Sequence, residues 1–174
     1  MKATALRYGR TARGLHWVMA LIILPMLLLG NTTMGNHDAR WLPSLHASTG
    51  LFIVLLLSIR LFWRWRHPPP KPLAASRWEV FASRAAHAFL YAAMLFIPLT
   101  GWLAYTEHVR RSLGVRPASW FGFRIPLLPD YGINWHFIHN WGGKLALVLI
   151  ALHVAAVLKH HFYNRDETLK RMLP

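Results

Sequence analysis

The chain has 174 residues, of which 55% are hydrophobic and only 15% charged, enough for one compact bundle but too few charges for an ordinary soluble domain. The formal charge of +14 first suggests a nucleic-acid partner, but 9 Trp, 9 Phe and four long apolar runs do not suit a basic nucleic-acid module, so none is expected. No cysteine is present, which excludes disulfides, iron–sulfur clusters, thiolate zinc sites and covalently attached c-type haem, and leaves histidine, present 11 times, as the main soft ligand.

In chain order, the first apolar run is His16–Gly30, extending to about 14–31, and the second is Leu45–Trp63. The third is Ala85–Tyr105 and the fourth Phe137–His160. Each approaches the roughly 20 residues with which a helix crosses hydrocarbon, and Pro25 and Pro98 fall where membrane helices tolerate proline. The expected fold is all-α: an integral membrane four-helix bundle forming one transmembrane domain over residues 1–174. The first run follows a basic stretch but has no clear small-x-small cleavage site, so it is expected to be retained as a span rather than removed as a signal peptide.

Charge sets the orientation. Lys2, Arg7, Arg10 and Arg13 precede the first span; Arg60, Arg64, Arg66, Lys71, Arg77 and Arg84 lie at or between spans two and three; Lys159, Arg165, Lys170 and Arg171 end the chain. The opposite side has only Arg40, Arg110, Arg111, Arg116 and Arg124. The positive-inside rule puts both termini and the proline-rich link His67–Pro72 in the cytoplasm, with anionic lipid headgroups as natural partners. The loop Thr106–His136, with Trp120, Phe121, Phe123, Pro126 and Pro129, is expected to cap the outer face.

Ionisable groups inside a span are costly and mark function. His46 opens span two and His139 opens span four at the outer level, while His16 opens span one at the inner level. His153 follows His139 by fourteen residues, about 21 Å along a helix and within about 40° of the same face. Each therefore has a partner at its own depth, His46 for His139 and His16 for His153. Two imidazoles make a poor closed zinc site but complete a six-coordinate haem, whose macrocycle could approach the small residues Ala47, Ser48, Gly50, Gly142, Gly143, Ala151 and Ala155. The expected cofactors are two haems b, each with one of these histidine pairs as its axial iron ligands.

These residues resemble the bacterial cytochrome b561 family of diheme membrane cytochromes. The resemblance rests on R-G-L-H-W (13–17), L-H-A-S-T-G (45–50), H-A-F-L-Y…P-L-T-G (87–101), H-N-W-G-G…A-L-H (139–153) and the ending K-H-H-F-Y-N-R-D-E-T-L-K-R-M-L-P. It implies an outer haem on His46 and His139, an inner haem on His16 and His153, a bacterial inner-membrane location and electron exchange with a membrane quinone. It also implies that stand-alone members oxidise superoxide on the periplasmic side and reduce ubiquinone.

Other residues carry open alternatives. His87 begins span three at the inner depth and either lines a quinone pocket, serves as a proton donor, or is a hydrogen-bonded core histidine. His160, about 10 Å below His153, either borders that pocket or sits wet at the helix end. Arg60 either contacts a haem propionate or snorkels to the interface. Lys144 lies on a different face of the fourth helix from His139 and receives no role. The outer arginines either form a positive mouth that draws in superoxide or face lipid headgroups.

Three functions compete. One is a stand-alone superoxide:quinone oxidoreductase, and another an electron-wire subunit of a membrane hydrogenase or dehydrogenase. The third is a histidine-box non-haem iron oxygenase, prompted by Trp135–His139 and by His160 and His161, although its histidines would be split between the two faces.

Overall fold

Four long apolar helices make up most of the structure, a computed structural model describing residues 7–32, 42–70, 73, 76–111, 119–120, 123–129 and 131–173. They are α1 (Arg10–Thr32), α2 (Leu42–Arg66), α3 (Arg77–Arg111) and α4 (Trp135–Leu158), all long and apolar enough to cross a membrane. A π-helical turn, Lys159–Tyr163, continues α4. The only described strands are β1 (Ser119–Trp120) and β2 (Phe123–Arg124), a two-residue antiparallel ladder in the outer loop. The expectations for Lys2, Arg40, Lys71, Pro72, Arg116 and Phe121 fall outside the described residues.

The third helix is longer than its apolar run, starting at Arg77 rather than Ala85 and ending at Arg111 rather than Tyr105. Its start is set by a capping box. The Glu79 N–H donates to Ser76 Oγ at 3.2 Å, and the Ser76 N–H donates to Glu79 Oε2 at 3.0 Å, satisfying two backbone donors that a helix start leaves unpaired. The S-x-x-E signature is present in the sequence, but it precedes the apolar run. A side-chain cap also opens α4, where Asn134 Oδ1 accepts from the Phe137 N–H at 3.0 Å.

α3 packs against α2 and α4, and α1 against α2 and α4. Between α1 and α2 the core is Met19, Met26, Ile53, Leu56 and Leu57, with Tyr91 and Met94 of α3 packed beside it. Leu21, Phe89, Leu145 and Leu152 are exposed on the outside, as lipid-facing residues of a bundle should be. With little hydrophobic drive between helices in lipid, small residues set the close approaches. A Cβ at Gly50 would lie 3.8 Å from Pro98, and one at Gly142 3.3 Å from Ile97.

Both ends of the bundle are tied by the chain itself. At the outer end, Trp102 Nε1 donates to the Pro126 carbonyl at 2.8 Å and Arg110 Nη2 to the Leu128 carbonyl at 2.9 Å. Ile125 is buried against Tyr105 and Val109, so residues 125–128 cap the outer end of α3. At the inner end the tail returns beneath α1, with Arg13 Nη1 donating to the Leu173 carbonyl at 2.6 Å and Trp17 Nε1 to the Met172 carbonyl at 2.8 Å.

Candidate functional site

The outer site lies between α2, α3 and α4. His46 and His139 face each other with ring centroids 5.8 Å apart and planes at 90°. His139 is fixed by α3, its Nδ1–H donating to the Ile97 carbonyl at 3.0 Å, with Thr100 Oγ1 at 3.5 Å. This leaves Nε2 as the ring's free lone pair, as in metal-binding histidines whose other ring N–H is held by a backbone carbonyl. Gly101 makes the fit possible, because a Cβ there would come within 2.7 Å of His139 Cε1. Gly30 does the same for His46, at 3.3 Å.

A cavity of about 530 Å³ opens around this pair, lined by both histidines and by Gly30, Gly50, Gly101 and Gly143 among mostly apolar neighbours. Its size falls within the usual range for small-molecule and cofactor sites. Two imidazoles gripping one metal ion at bonds of roughly 2 Å hold their ring centroids about 6 Å apart, close to the spacing seen here. His46 Nδ1 is buried with no hydrogen-bond partner among the described residues. The donor set, the glycine-lined space and the apolar walls fit a flat macrocycle that His46 and His139 would hold.

The inner site brings together more histidines than a single pair. His153 on α4 faces His87 on α3, with ring centroids 5.6 Å apart. His16 on α1 lies close enough to interact electrostatically with both. The hydrogen bonds distinguish the two candidate partners of His153. His87 Nδ1 is 2.6 Å from the Ser83 carbonyl one turn earlier, so its proton is on Nδ1. His16 Nδ1 instead faces Arg60 Nη2 at 3.2 Å; a guanidinium only donates, so neutral His16 carries its proton on Nε2 in this arrangement. Exposure distinguishes them the other way: His87 is exposed, whereas His16, His46, His139 and His153 are all half-buried.

Arg60 points into the bundle rather than out to the interface. It contacts His16, approaches Met19 Sδ at 4.0 Å and lies 5.7 Å from the Tyr91 ring centre, with Arg64 on the same ring at 5.9 Å. Lys144 sits outside the bundle, its Nζ 4.6 Å over the Trp141 ring, which accounts for a charge in an apolar span by snorkelling. His160 is hydrogen-bonded to Asp166 at 2.6 Å, so it is not simply wet. The outer arginines are partly occupied: Arg110 holds the Leu128 carbonyl and Arg111 pairs with Glu107 at 2.5 Å. Among the described residues no group of three or more His, Cys, Asp or Glu is placed to hold a bare metal ion.

A family model of prokaryotic cytochrome b561 matches residues 7–174. The chain belongs to that family. It is 37% identical to cytochrome b561 homolog 2 of Escherichia coli K12, covering 96% of this chain and 91% of the relative. It is 29% identical to cytochrome b561 homolog 1 of the same organism, covering 97% of each, and 24% identical to the probable superoxide oxidase CybB of Yersinia pestis, covering 97% and 96%. The cytochrome b561 fold expected from the histidine motifs is therefore present: a membrane b-type cytochrome, with electron transfer as its class of function and haem b as the family's cofactor.

Sequence reasoning missed the proximity of His87 to His153, the Arg60–His16 contact and the returning tail. Depth along the helices indicated that His87 shares the inner level, but neighbouring rings depend on helix rotation, which no motif reports.

Proposed function

We propose that this cytochrome b561 carries electrons from a donor at the outer face, superoxide foremost, to ubiquinone in the bilayer, and that it holds two haems b. The observation that carries this reading is the stacking of two histidine groups at two depths of one bundle, joined by α4, with His139 and His153 separated by about 21 Å of helix rise. His46 and His139 would hold the outer haem, and His16 and His153 the inner one. Bound haem supplies reversible one-electron transfer.

The preference for His16 over His87 rests on burial and on Arg60. A guanidinium suits carboxylates bidentately, so Arg60 would leave His16 Nδ1 for a haem propionate and free His16 to adopt the ligand tautomer. His87, held by its own helix and exposed, is left beside the inner site as a lining residue of the quinone pocket. His139 is locked by Ile97 and Thr100, so that ring is already oriented. Orientation follows the charge bias, with both termini in the cytoplasm and the chain in the cytoplasmic membrane.

The test is superoxide-driven reduction of ubiquinone by the detergent-purified haem-loaded protein. Turnover by the chain alone supports the reading. No turnover, with stoichiometric copurification of a dehydrogenase or hydrogenase, would instead make the chain an electron conduit docked to that partner.

A further inference from the structure

The inner end of α4 carries a histidine–carboxylate pair that electron transfer alone does not require. The α-helical ladder widens at Lys159–Tyr163 into a π-helical turn, a feature common at functional sites, and His160 lies within it. The chain then reverses at Arg165, whose φ of 52° is left-handed, and this brings Asp166 back against His160. His160 Nδ1 lies 2.6 Å from Asp166 Oδ2, and the Asp166 N–H donates to the His160 carbonyl at 3.1 Å. The other carboxylate oxygen, Oδ1, accepts from the Thr168 N–H at 2.8 Å. The Asn164 amide lies 3.2 Å from the same His160 nitrogen. Both carboxylate oxygens are thus committed, and the tail is anchored to α1 through Trp17 and Arg13, so the carboxylate cannot drift from the ring.

We propose that Asp166 is a positioning residue that holds His160 as the proton donor to reduced quinone at the inner end of the bundle. This rests on the quinone-reductase reading above. With Nδ1–H directed at Asp166, the nitrogen left to meet a ligand is Nε2, which no described residue engages. As the imidazolium, the ring can give up a proton from Nε2 and keep the one on Nδ1 that Asp166 accepts. Partial burial raises the Asp166 carboxyl, but its hydrogen bonds from Thr168 and His160 outweigh this and hold it below the usual carboxylate range, so it faces the ring as an anion.

The chemistry balances. Two superoxide anions each lose one electron and become O2, and the quinone takes up both electrons and two protons to become quinol. In each proton transfer the His160 Nε2–H bond breaks as an O–H bond forms on a quinone oxygen. The neutral ring is then reprotonated from the inner aqueous phase, which draws the protons from the cytoplasmic side under the proposed orientation. The site takes a para-quinone head whose carbonyl oxygen can reach Nε2 about 10 Å below the His153 level.

The test isolates the quinone half-reaction. Haem-loaded protein in liposomes is reduced stoichiometrically with dithionite and mixed with short-chain ubiquinone, and haem reoxidation is followed by stopped flow. Asp166→Asn is expected to slow maximal reoxidation by about 10- to 100-fold, the scale of losing a carboxylate that orients a working imidazole. Haem per chain and the half-saturating quinone concentration should stay within about twofold, and Asp166→Glu should recover part of the rate. Asp166→Asn combined with His160→Ala should be no slower than His160→Ala alone, because the two act as one unit. An Asp166→Asn protein as fast as wild type, or losses that multiply in the double variant, would overturn the proposal. Failure of wild type to be reoxidised by quinone would instead overturn the quinone-reductase reading, and this inference with it.

Discussion

The outer and inner histidine groups differ in how far the polypeptide alone prepares them. At the outer site His139 is oriented by Ile97 and Thr100, Gly30 and Gly101 clear space for the rings, and a cavity of about 530 Å³ surrounds them. At the inner site three imidazoles converge, and the one expected to bind iron is held by Arg60 in the tautomer unsuited to it. The outer site is built from backbone carbonyls and missing side chains, which are rigid. The inner site is built from long side chains that can exchange partners, so there the cofactor's own carboxylates are expected to complete the arrangement.

The largest effects are expected at the histidine ligands. Either His46→Ala or His139→Ala should reduce two haems per chain to one, and the two variants should lose the same spectral component. His16→Ala should remove the other haem and His87→Ala should keep both. Loss of a haem in His87→Ala with retention in His16→Ala would transfer the inner ligand to α3.

Backbone preparation is tested next by Gly101→Ala. The added Cβ would sit 2.7 Å from His139 Cε1, against a ring pinned by α3, so the outer haem should be lost or strongly depleted while the inner one persists. Overpacking of this kind costs about 1–3 kcal/mol. The equivalent change at Gly30, with 3.3 Å to His46, should be milder because His46 Nδ1 has no described partner holding the ring.

Arg60→Gln sharpens the contrast from the inner side. Losing a fixed positive charge disfavours the more negative reduced haem, so the inner potential should fall by about 60 mV, equivalent to a tenfold change in a one-electron equilibrium. Potentiometric titration should show the outer haem unmoved. The smallest expected effect is at the tail. The depressed Asp166 carboxyl stabilises the tail above its unfolded value of about 4, and this contribution is lost as pH falls through the lower folded value. Limited proteolysis of the C-terminus should therefore be unchanged from neutral pH down to about 5 and increase only under stronger acid.

The four spans and the two histidine depths were legible because both are one-dimensional: apolar length gives a span, and a fixed rise per residue gives a depth. The ends of α3 were not, because its first turns are held by the Ser76–Glu79 capping box and its last by the strap at Pro126 and Leu128. The neighbours of His153 were only partly legible: rise along the helices gives His16 and His87 a level, but helix rotation decides which ring comes near. The Asp166 contact depends on a chain reversal at a non-glycine residue, Arg165, and no local sequence signal announces that conformation.

The most direct measurement is haem stoichiometry per chain, by reduced-minus-oxidised spectra of the purified protein, for wild type and for His16→Ala, His46→Ala, His139→Ala and His153→Ala. Two haems b in wild type, with one component lost in both His46→Ala and His139→Ala and the other in both His16→Ala and His153→Ala, is the predicted result. A single haem in wild type, or losses that do not segregate into those two pairs, would contradict the two-depth arrangement.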